Sequence, residues 1–238
     1  MNALGIVAAL TLESRPLRPA ALADSTLLIV SGVGMAAARD GARQLAAAGA
    51  SALLSFGLAG ALDPSLAPGT LVLPSEVVSA DGGLFRTAQH WREQLVATVA
   101  GRYPICCGRL LTSPEPIRSA ADKALAFRNT DAAAVDMESA AVAEVAAAAR
   151  LDFLVVRAIV DTAADTLPQA ALAATGTGTR AVRLAPFLAS VARAPGEIPG
   201  LIRLASHYRT ASRALAAVVA SGALVPAATA HAVNGAVS

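Results

Sequence analysis

The chain has few aromatic residues and almost no lysine. Of its 238 residues only 3% are aromatic while 55% are hydrophobic, so the core must be built from Ala, Leu and Val. Lys123 is the only lysine in the sequence, which we attribute to genomic base bias rather than to function. The net charge of +2 gives no support for a nucleic-acid partner.

Cysteine and histidine are too few and too scattered to indicate a metal site. Cys106 and Cys107 are adjacent, and adjacent cysteines rarely bridge each other. His90, His207 and His231 match no familiar ligand spacing. We therefore predict no metal and no cofactor, and the free thiols favour a reducing cytoplasm.

No segment has the features of a secretion signal or a membrane span. The first ten residues, MNALGIVAAL, have no basic region, and their apolar run is too short for either role. The length favours one domain, with room for an appendage. The first apolar run therefore predicts a buried strand.

Short apolar runs alternate with alanine-rich stretches along most of the chain. The stretches 35–49, 87–100 and 137–150 predict helices. Strands that are apolar on both faces and separated by helices are typical of a mostly parallel sheet covered on both sides. Pro74 makes its strand an edge or bent strand. The predicted strands are 4–10, 26–32, 50–57, 69–78, 108–113 and 152–161.

The character of the sequence changes after Pro195. Segment 196–225 predicts an amphipathic basic helix, because its apolar residues fall on one helical stripe and its arginines largely on other faces. We divide the chain into a catalytic domain, 1–195, and a helical extension, 196–238, whose last dozen residues show no strong periodicity. The stripe consists of Leu201, Leu204, Tyr208, Ala211, Leu215 and Val218.

The segment SGVGMAAA, residues 31–38, matches the glycine pattern of a dinucleotide-binding loop. Such a site also needs an acid about 20 residues further on, and the segment GASALLSFG, residues 49–57, has none. Glycines at a strand-to-helix turn more often serve the turn itself. We therefore expect no NAD, although the loop, with Gly34, can still line a ligand pocket.

Three acids lie where open α/β sheets bind ligands, beyond the carboxyl ends of strands. Glu13 follows the first predicted strand by three residues, Asp161 closes the last one, and Glu138 lies at the start of a helix after a short connection. Each also has a structural interpretation, as a cap or as a favourable charge at a helix N-terminus. Asp136 we interpret as the N-cap of a helix beginning at Met137.

Convergence of the three acids favours a functional interpretation over three separate caps. Carboxylates without metal ligands indicate acid–base chemistry on a neutral polar substrate, in which one acid protonates a leaving group and another activates water. That division of roles suits cleavage of a glycosidic bond.

Five segments then show a family resemblance. GIVAALTLE, SGVGMAAA, FGLAGALDPSLAPGTLVLPSEVV, AVDMESAAVAEVA and VVRAIVDTAAD resemble, in this order, the motifs of the nucleoside phosphorylase and methylthioadenosine/S-adenosylhomocysteine nucleosidase family. The resemblance covers roughly residues 4–170. It implies an α/β three-layer sandwich around a twisted, mostly parallel central sheet, here with a C-terminal amphipathic helix.

The resemblance also implies roles for individual residues. Asp161 matches the acid that protonates N7 of the departing purine, and Glu13 matches the glutamate that positions and deprotonates the attacking water. Glu138 matches the glutamate that binds the ribose hydroxyls, and Met137 packs against the sugar. Ile117 falls where the family contacts the base through main-chain groups.

Leu58, Gly57 and Gly34, in the matched glycine segments, complete the expected substrate-binding residues. The helix that follows Glu138 also carries Glu144, which we expect to face solvent.

Departures from the family pattern concern the nucleophile and the base. Hexameric phosphorylases carry an arginine where this chain has Ser55, and a serine or threonine where it has Leu58. In those enzymes both residues contact phosphate. Arg15 lies near another phosphate-binding position, but a single arginine is a weak substitute. Water is therefore favoured over phosphate as the nucleophile, and phosphorolysis, with phosphate as a second substrate, stays the alternative to hydrolysis. Pro116 stands where nucleosidases stack a phenylalanine on adenine.

The terminal segment LIRLASHYRTASRAL is similar to that of the hopanoid-associated phosphorylases. That subgroup implies release of adenine from adenosylhopane and a lipid-linked nucleoside substrate. The helix 198–219 is then expected either to contact the inner face of a membrane or to serve as a packing or dimer element. The alternatives are a soluble methylthioadenosine/S-adenosylhomocysteine nucleosidase and a non-catalytic nucleoside-binding protein; a cytoplasmic homodimer is the default assembly.

Overall fold

The computed structural model of the protein describes residues 3–17, 25–175, 178–181 and 183–225. The tail predicted to be loose lies outside these residues. The described strands are β1 Ala3–Ala8, β2 Thr26–Val30, β3 Ala50–Ala61, β4 Leu71–Val72, β5 Glu76–Ser79, β6 Leu84–Arg86, β7 Ile105–Cys106, β8 Arg109–Thr112, β9 Ala132–Asp136 and β10 Asp152–Asp161. The described helices are α1 Thr11–Ser14, α2 Met35–Ala47, α3 Gln89–Val99, α4 Ala120–Thr130, α5 Ser139–Ala149, α6 Gln169–Ala174, α7 Leu184–Arg193 and α8 Ile198–Ala220.

The ten strands form one sheet in the order β6-β5-β8-β9-β3-β10-β4-β7, and β1 joins β3 to β2 beside this path. Six of the strand pairings are parallel and three are antiparallel. The long strand β3 holds the sheet together, because its first half pairs with β1, nearly its whole length pairs with β10 and its last residues pair with β9. The prediction of a mostly parallel central sheet is confirmed.

Helices cover both faces of the sheet and complete the three layers. Along β10, Leu154 and Val156 pack in one core cluster with side chains of α3 and α8, whereas Val155 and Ile159 pack in a second cluster with α2 and α5. This alternation follows from the two-residue period of a strand. Small alanine side chains let the helices approach the sheet closely, as the composition requires.

Pro74 ends a strand rather than bending one. The predicted strand 69–78 is two strands, β4 and β5, which pair with different neighbours. The prediction of an edge strand was wrong, since both pieces lie between two other strands. Proline offers no N–H to a ladder, so the chain leaves one part of the sheet here and enters another.

Helix α8 packs its apolar stripe inward. Leu215 and Val218 lie in the core cluster that also holds Trp91 of α3, whose Nε1 donates a hydrogen bond to the Leu224 carbonyl over 3.1 Å. The division of the chain at Pro195 stays a prediction, but residues from both sides of that division share one core. No helix within the described residues is both long and apolar enough to cross a membrane.

Candidate active site

One cavity of about 440 Å³ opens where β1, β3, β9 and β10 end. The carboxyl ends of these strands bring four buried acids to its wall, Glu13, Asp136, Glu138 and Asp161. This is the place where an open α/β sheet binds ligands. The three acids singled out in the sequence therefore share one cavity, and Asp136 joins them.

Main-chain donors hold the carboxylate of Glu13. Its Oε2 accepts hydrogen bonds from the N–H groups of Ala9 and Leu10, at 3.1 and 3.0 Å, and its Oε1 accepts one from the N–H of Leu58 at 3.0 Å. Burial raises the pKa of Glu13, while the Arg157 charge and these three bonds act in the opposite direction. The result is a fixed carboxylate of increased basicity.

Arg157 lies at the centre of the acids, in the middle of β10. Its Nη2 is 2.7 Å from Oδ2 of Asp136 and 3.4 Å from Oε2 of Glu138, and it donates to Oγ of Ser55 over 2.9 Å. The Arg157 side chain is 1% exposed. A buried guanidinium is tolerated only when carboxylates surround it, so the cation and these acids form one unit.

The glycine loop supports Glu138. The N–H of Gly34 donates to Oε1 of Glu138 over 2.9 Å, across 104 positions of sequence. Burial is the largest influence on this carboxyl and raises its pKa to about 7, with Asp136 and Glu13 adding repulsion and Arg157 opposing both. Glu138 therefore exchanges its proton near neutral pH.

Lys123 of α4 contacts the opposite side of the site. Its ammonium group makes a short hydrogen bond to Oδ2 of Asp161 and also donates to the carbonyls of Thr162 and Asp165, at 2.7 and 3.0 Å. Burial raises the pKa of Asp161, and Lys123 opposes the rise. Asp161 lines the cavity, and its Oδ1 accepts no hydrogen bond from the described residues.

The outer wall of the cavity is apolar. Helices α6, α7 and α8 contribute it, together with the loop before α6. Tyr208 turns its hydroxyl away from the apolar surface and donates to the Leu12 carbonyl over 3.1 Å. The apolar side chains of this wall are Leu167, Leu172, Phe187, Leu201 and Leu204.

Most of the residues predicted from the sequence reach this cavity. Glu13, Glu138 and Asp161 line it, and so do Met137, Ile117 and Leu58. The two remaining residues lie behind the wall: Gly34 supports Glu138, and Gly57 leaves room for buried side chains.

Other expectations differ from the structure. Glu138, not Asp136, is the N-cap position of α5, although both oxygens of Asp136 still accept from the N–H of Ser139, at 3.4 and 3.2 Å. Glu144 was predicted to face solvent, but it accepts a 2.9 Å hydrogen bond from Nε of Arg39 on α2. It is partly buried because α2 and α5 pack side by side.

Sequence reasoning missed the two buried cations. Arg157 interrupts the apolar strand DFLVVRAIVD, and a charge inside such a strand could have marked it. Lys123 carried a weaker signal, since it lies in α4, a helix that the sequence did not predict. Its assignment to base bias alone does not fit its position, because Lys123 is fully buried against Asp161.

The described ranges contain no group of three or more His, Cys, Asp or Glu side chains suited to a metal ion. No arginine or lysine of the described chain lines the cavity. Arg15 is exposed, and Ser55 is fully buried beneath Arg157. The polar wall therefore presents carboxylates to a ligand.

Comparisons with known proteins agree with this architecture. The family model of the phosphorylase superfamily matches residues 22–185. The chain belongs to the phosphorylase superfamily. No curated protein matches the sequence significantly.

Solved structures of this superfamily fold resemble the chain over nearly its whole length. The 5'-methylthioadenosine/S-adenosylhomocysteine nucleosidase of Neisseria meningitidis, in complex with methylthio-immucillin-A, matches with TM-score 0.71 and 17% identity, over 94% of this chain and 99% of that one. The corresponding Helicobacter pylori enzyme, with butyl-thio-DADMe-Immucillin-A, matches with TM-score 0.68 and 16% identity, over 92% of this chain and 98% of that one. Native futalosine hydrolase of Helicobacter pylori matches with TM-score 0.68 and 16% identity, over 92% of this chain and 97% of that one. At these identities the likeness establishes the fold.

The first prediction concerns Gly57. A Cβ at this position would lie 2.4 Å from Nη1 of Arg157 and 2.8 Å from Oε1 of Glu13. We expect Gly57→Ala to lower the free energy of unfolding by about 1–3 kcal/mol, the usual cost of overpacking, as measured by urea denaturation. Gly196→Ala is the matched control, because a Cβ there meets no atom within 4 Å. Equal stability of the two variants would contradict the packing described.

The second prediction concerns the pH dependence contributed by Glu138. Its folded pKa of about 7 lies above the reference value of 4.5, so the folded state binds more protons than the unfolded state between these values. This contribution to stability is complete below pH 4.5 and is lost as the pH rises through 7. From pH 5 to pH 8 the free energy of unfolding should fall less in Glu138→Gln than in the wild type. The difference between the two falls should be on the order of 1–3 kcal/mol.

Urea denaturation across this pH range measures the difference. Glu93→Gln, an exposed change on α3, serves as the control and should follow the wild-type curve. A Glu138→Gln curve parallel to wild type would show that Glu138 does not titrate in this range.

Proposed function

We propose that the protein cleaves the N-glycosidic bond of an adenine nucleoside, with Asp161 as the general acid and water as the nucleophile. The observation that supports this best is the shared cavity of Asp161, Glu13 and Glu138 at the ends of parallel strands. The superfamily's name and the nucleosidases and futalosine hydrolase among the similar structures give the same chemical class.

Asp161 acts at the base. The protonated carboxyl donates from its free oxygen, Oδ1, to N7 of the purine while the glycosidic bond breaks and its electron pair moves into the base. Burial favours the protonated form of Asp161. Ile117 lines the same cavity, and it stands where the family contacts the base through main-chain groups.

Glu13 and Glu138 act at the sugar. Loss of the base leaves an oxocarbenium-like ribosyl group, which the buried carboxylates stabilise electrostatically. Glu13 accepts a proton from the attacking water, since three main-chain N–H groups fix it at the cavity wall. Glu138 accepts hydrogen bonds from ribose hydroxyls, and Met137 packs against the ring.

Electrostatics favour water over phosphate as the nucleophile. Arg157 is the nearest buried cation to Glu13, but Asp136 and Glu138 already pair with it. Leu58 presents an apolar side chain to the cavity, and a phosphate dianion buried among carboxylates without free donors would be strongly disfavoured. A neutral water molecule meets no such penalty.

The third prediction tests the reaction. Incubation with adenosine derivatives should release adenine, detected by chromatography and mass spectrometry, and Asp161→Asn should lower kcat about 10²–10⁴-fold because it removes a general acid. Formation of the free sugar in the absence of phosphate would indicate hydrolysis. Activity that depends strictly on phosphate would refute water as the nucleophile. Asp63→Asn is the control, because Asp63 is a half-buried acid in the turn after β3 and does not line the cavity.

The apolar wall supports a substrate with an apolar group on the far side of the sugar. Leu201 and Leu204 face the cavity from α8, and Phe187 faces it from α7. We infer that the 5' substituent is hydrophobic, with the hopane skeleton of adenosylhopane as our first candidate. A methylthio group is the second candidate, because the same surface would also bind a short apolar substituent.

The fourth prediction separates these candidates. Leu204→Ser should lower kcat/KM about 10–100-fold for an adenosine with a long apolar 5' tail, because roughly 0.8 kcal/mol is lost for each CH2 no longer buried. Turnover of 5'-deoxyadenosine should change much less. Ile202→Ser, on the exposed face of the same helix at 67% exposure, is the control. Equal losses for both substrates would exclude a tail-binding role for Leu204.

Contact with a membrane and a homodimeric assembly remain our proposals for the whole protein. The apolar stripe of α8 faces the core and the cavity, so membrane contact would have to use the outer face of the helix. Ile198 and Ile202 are the large apolar side chains exposed there, with Arg203 and Arg209 beside them.

A further inference from the structure

Lys123 occupies an unusual place for a lysine. It is the only fully buried side chain of α4, although the apolar side of a surface helix is usually what packs inward. Three acceptors surround its ammonium group: the Asp161 carboxylate and the carbonyls of Thr162 and Asp165. All three ammonium hydrogens therefore have partners, one at the last residue of β10 and two in the loop that follows it.

Stability alone gives a weak reason for this arrangement. A buried ion pair often stabilises a fold no more than apolar side chains of similar volume, because both charges lose their hydration. The sole lysine of the sequence is nevertheless paired with Asp161, an acid of the cavity wall whose Oδ1 accepts no hydrogen bond from the described residues. The placement points to the chemistry of Asp161.

We propose that Lys123 is a positioning residue for Asp161: its ammonium group fixes the carboxyl group toward the base and sets how readily that group gives up its proton. This inference rests on the proposed function, because it assigns Lys123 to the same site. Lys123 itself touches neither substrate nor reacting atoms.

The proton balance of the step is simple. The Asp161 carboxyl transfers its proton to N7 as the glycosidic bond breaks, and it becomes a carboxylate. Lys123 stays an ammonium ion throughout and stabilises the new negative charge at Oδ2. After adenine leaves, Glu13 releases to solvent the proton that it took from the attacking water, Asp161 takes a proton from solvent, and the site is restored.

Two opposing influences set the acidity of Asp161. Burial raises its pKa and would leave it a weak acid, whereas Lys123 opposes the rise. The other charged groups nearby partly cancel: Asp165 adds repulsion, but Arg203 pairs with it over 3.0 Å and His207 lies 3.8 Å from it. Lys123 is the only cation hydrogen-bonded directly to Asp161 within the described residues.

The fifth prediction is a change in the pH profile on replacing Lys123 by Met, which has similar length and no charge. Without the ammonium group the pKa of Asp161 should rise, so the alkaline limb of the kcat profile should move upward by about 1 pH unit or more. At the wild-type optimum kcat should fall at least about 10-fold, because the acid is weaker and less well oriented. KM should change less than kcat.

Arg128→Met is the matched control, since Arg128 is an exposed cation on the same helix. It should leave the profile unchanged. A folded Lys123→Met variant with an unmoved alkaline limb would overturn the proposal and leave Lys123 a structural residue.

A spectroscopic measurement makes the test independent of the stability of that variant. Because Lys123 is the only lysine, protein labelled with ¹⁵N-lysine has a single side-chain Nζ resonance. In the wild-type protein this ammonium signal should exchange slowly with water, and Asp161→Asn should shift it strongly while Glu13→Gln shifts it little. A fast-exchanging resonance, or one unaffected by Asp161→Asn, would contradict the contact.

The two proposals fail in different ways. If wild-type protein releases no adenine while the Nζ resonance responds to Asp161→Asn, the proposed function is wrong and the pair is structural. If adenine is released and Lys123→Met retains the wild-type pH profile, the function stands and the assignment of Lys123 is wrong.

Discussion

The buried guanidinium of Arg157 is the interaction on which the site depends. Asp136 and Glu138 pair with it directly, and Glu13 lies close enough to interact with its charge. Without the cation these acids would repel each other in a space that water cannot screen, and their ionisation would be strongly opposed. The cation therefore allows several carboxylates to occupy one cavity wall.

The pairing of strands β3 and β10 fixes the positions of Arg157 and Asp161. Arg157 is paired with Gly57 in the register of the two strands, and Asp161 is paired with Gly60 after a register shift that follows Ile159. A Cβ at Gly57 would collide with Arg157, and one at Gly60 would lie 3.1 Å from Oδ2 of Asp161. The two glycines are needed because their neighbours carry large charged groups, and the register shift re-aims the last residue of β10.

These contacts explain what the sequence could predict and what it could not. The positions of Glu13 and Asp161 could be inferred because strand ends follow from local hydrophobic patterns, and parallel strands gather their ends at one edge. Glu138 could be placed only from the start of its predicted helix and from the family resemblance. The roles of Arg157 and Lys123 were not predicted, because their partners lie far away in the sequence. Helix α4 has only one buried side chain, so it lacks the apolar periodicity from which a helix is normally recognised.

Short alanine-rich elements were not predicted either, for a related reason. Strand β9, AAAVD, is fully buried, yet three alanines in a row carry no period that separates a strand from a helix. Its place is fixed by pairing with β8 on one side and β3 on the other. That pairing brings Asp136 to Arg157, and the chain then turns so that Glu138 precedes α5. The acids of this segment thus reach the cavity by way of a strand that only long-range pairing defines.

The C-terminal helix links the outer wall of the cavity to the core of the fold. One end of α8 supplies Leu201 and Leu204 to the outer wall of the cavity, and its other end supplies Leu215 and Val218 to the core. Because one rigid helix serves both, docking of its second half onto the sheet positions the first half over the site. The apolar outer wall of the cavity is therefore as firmly placed as the core itself, although it comes from the part of the sequence beyond the five segments that carry the family resemblance.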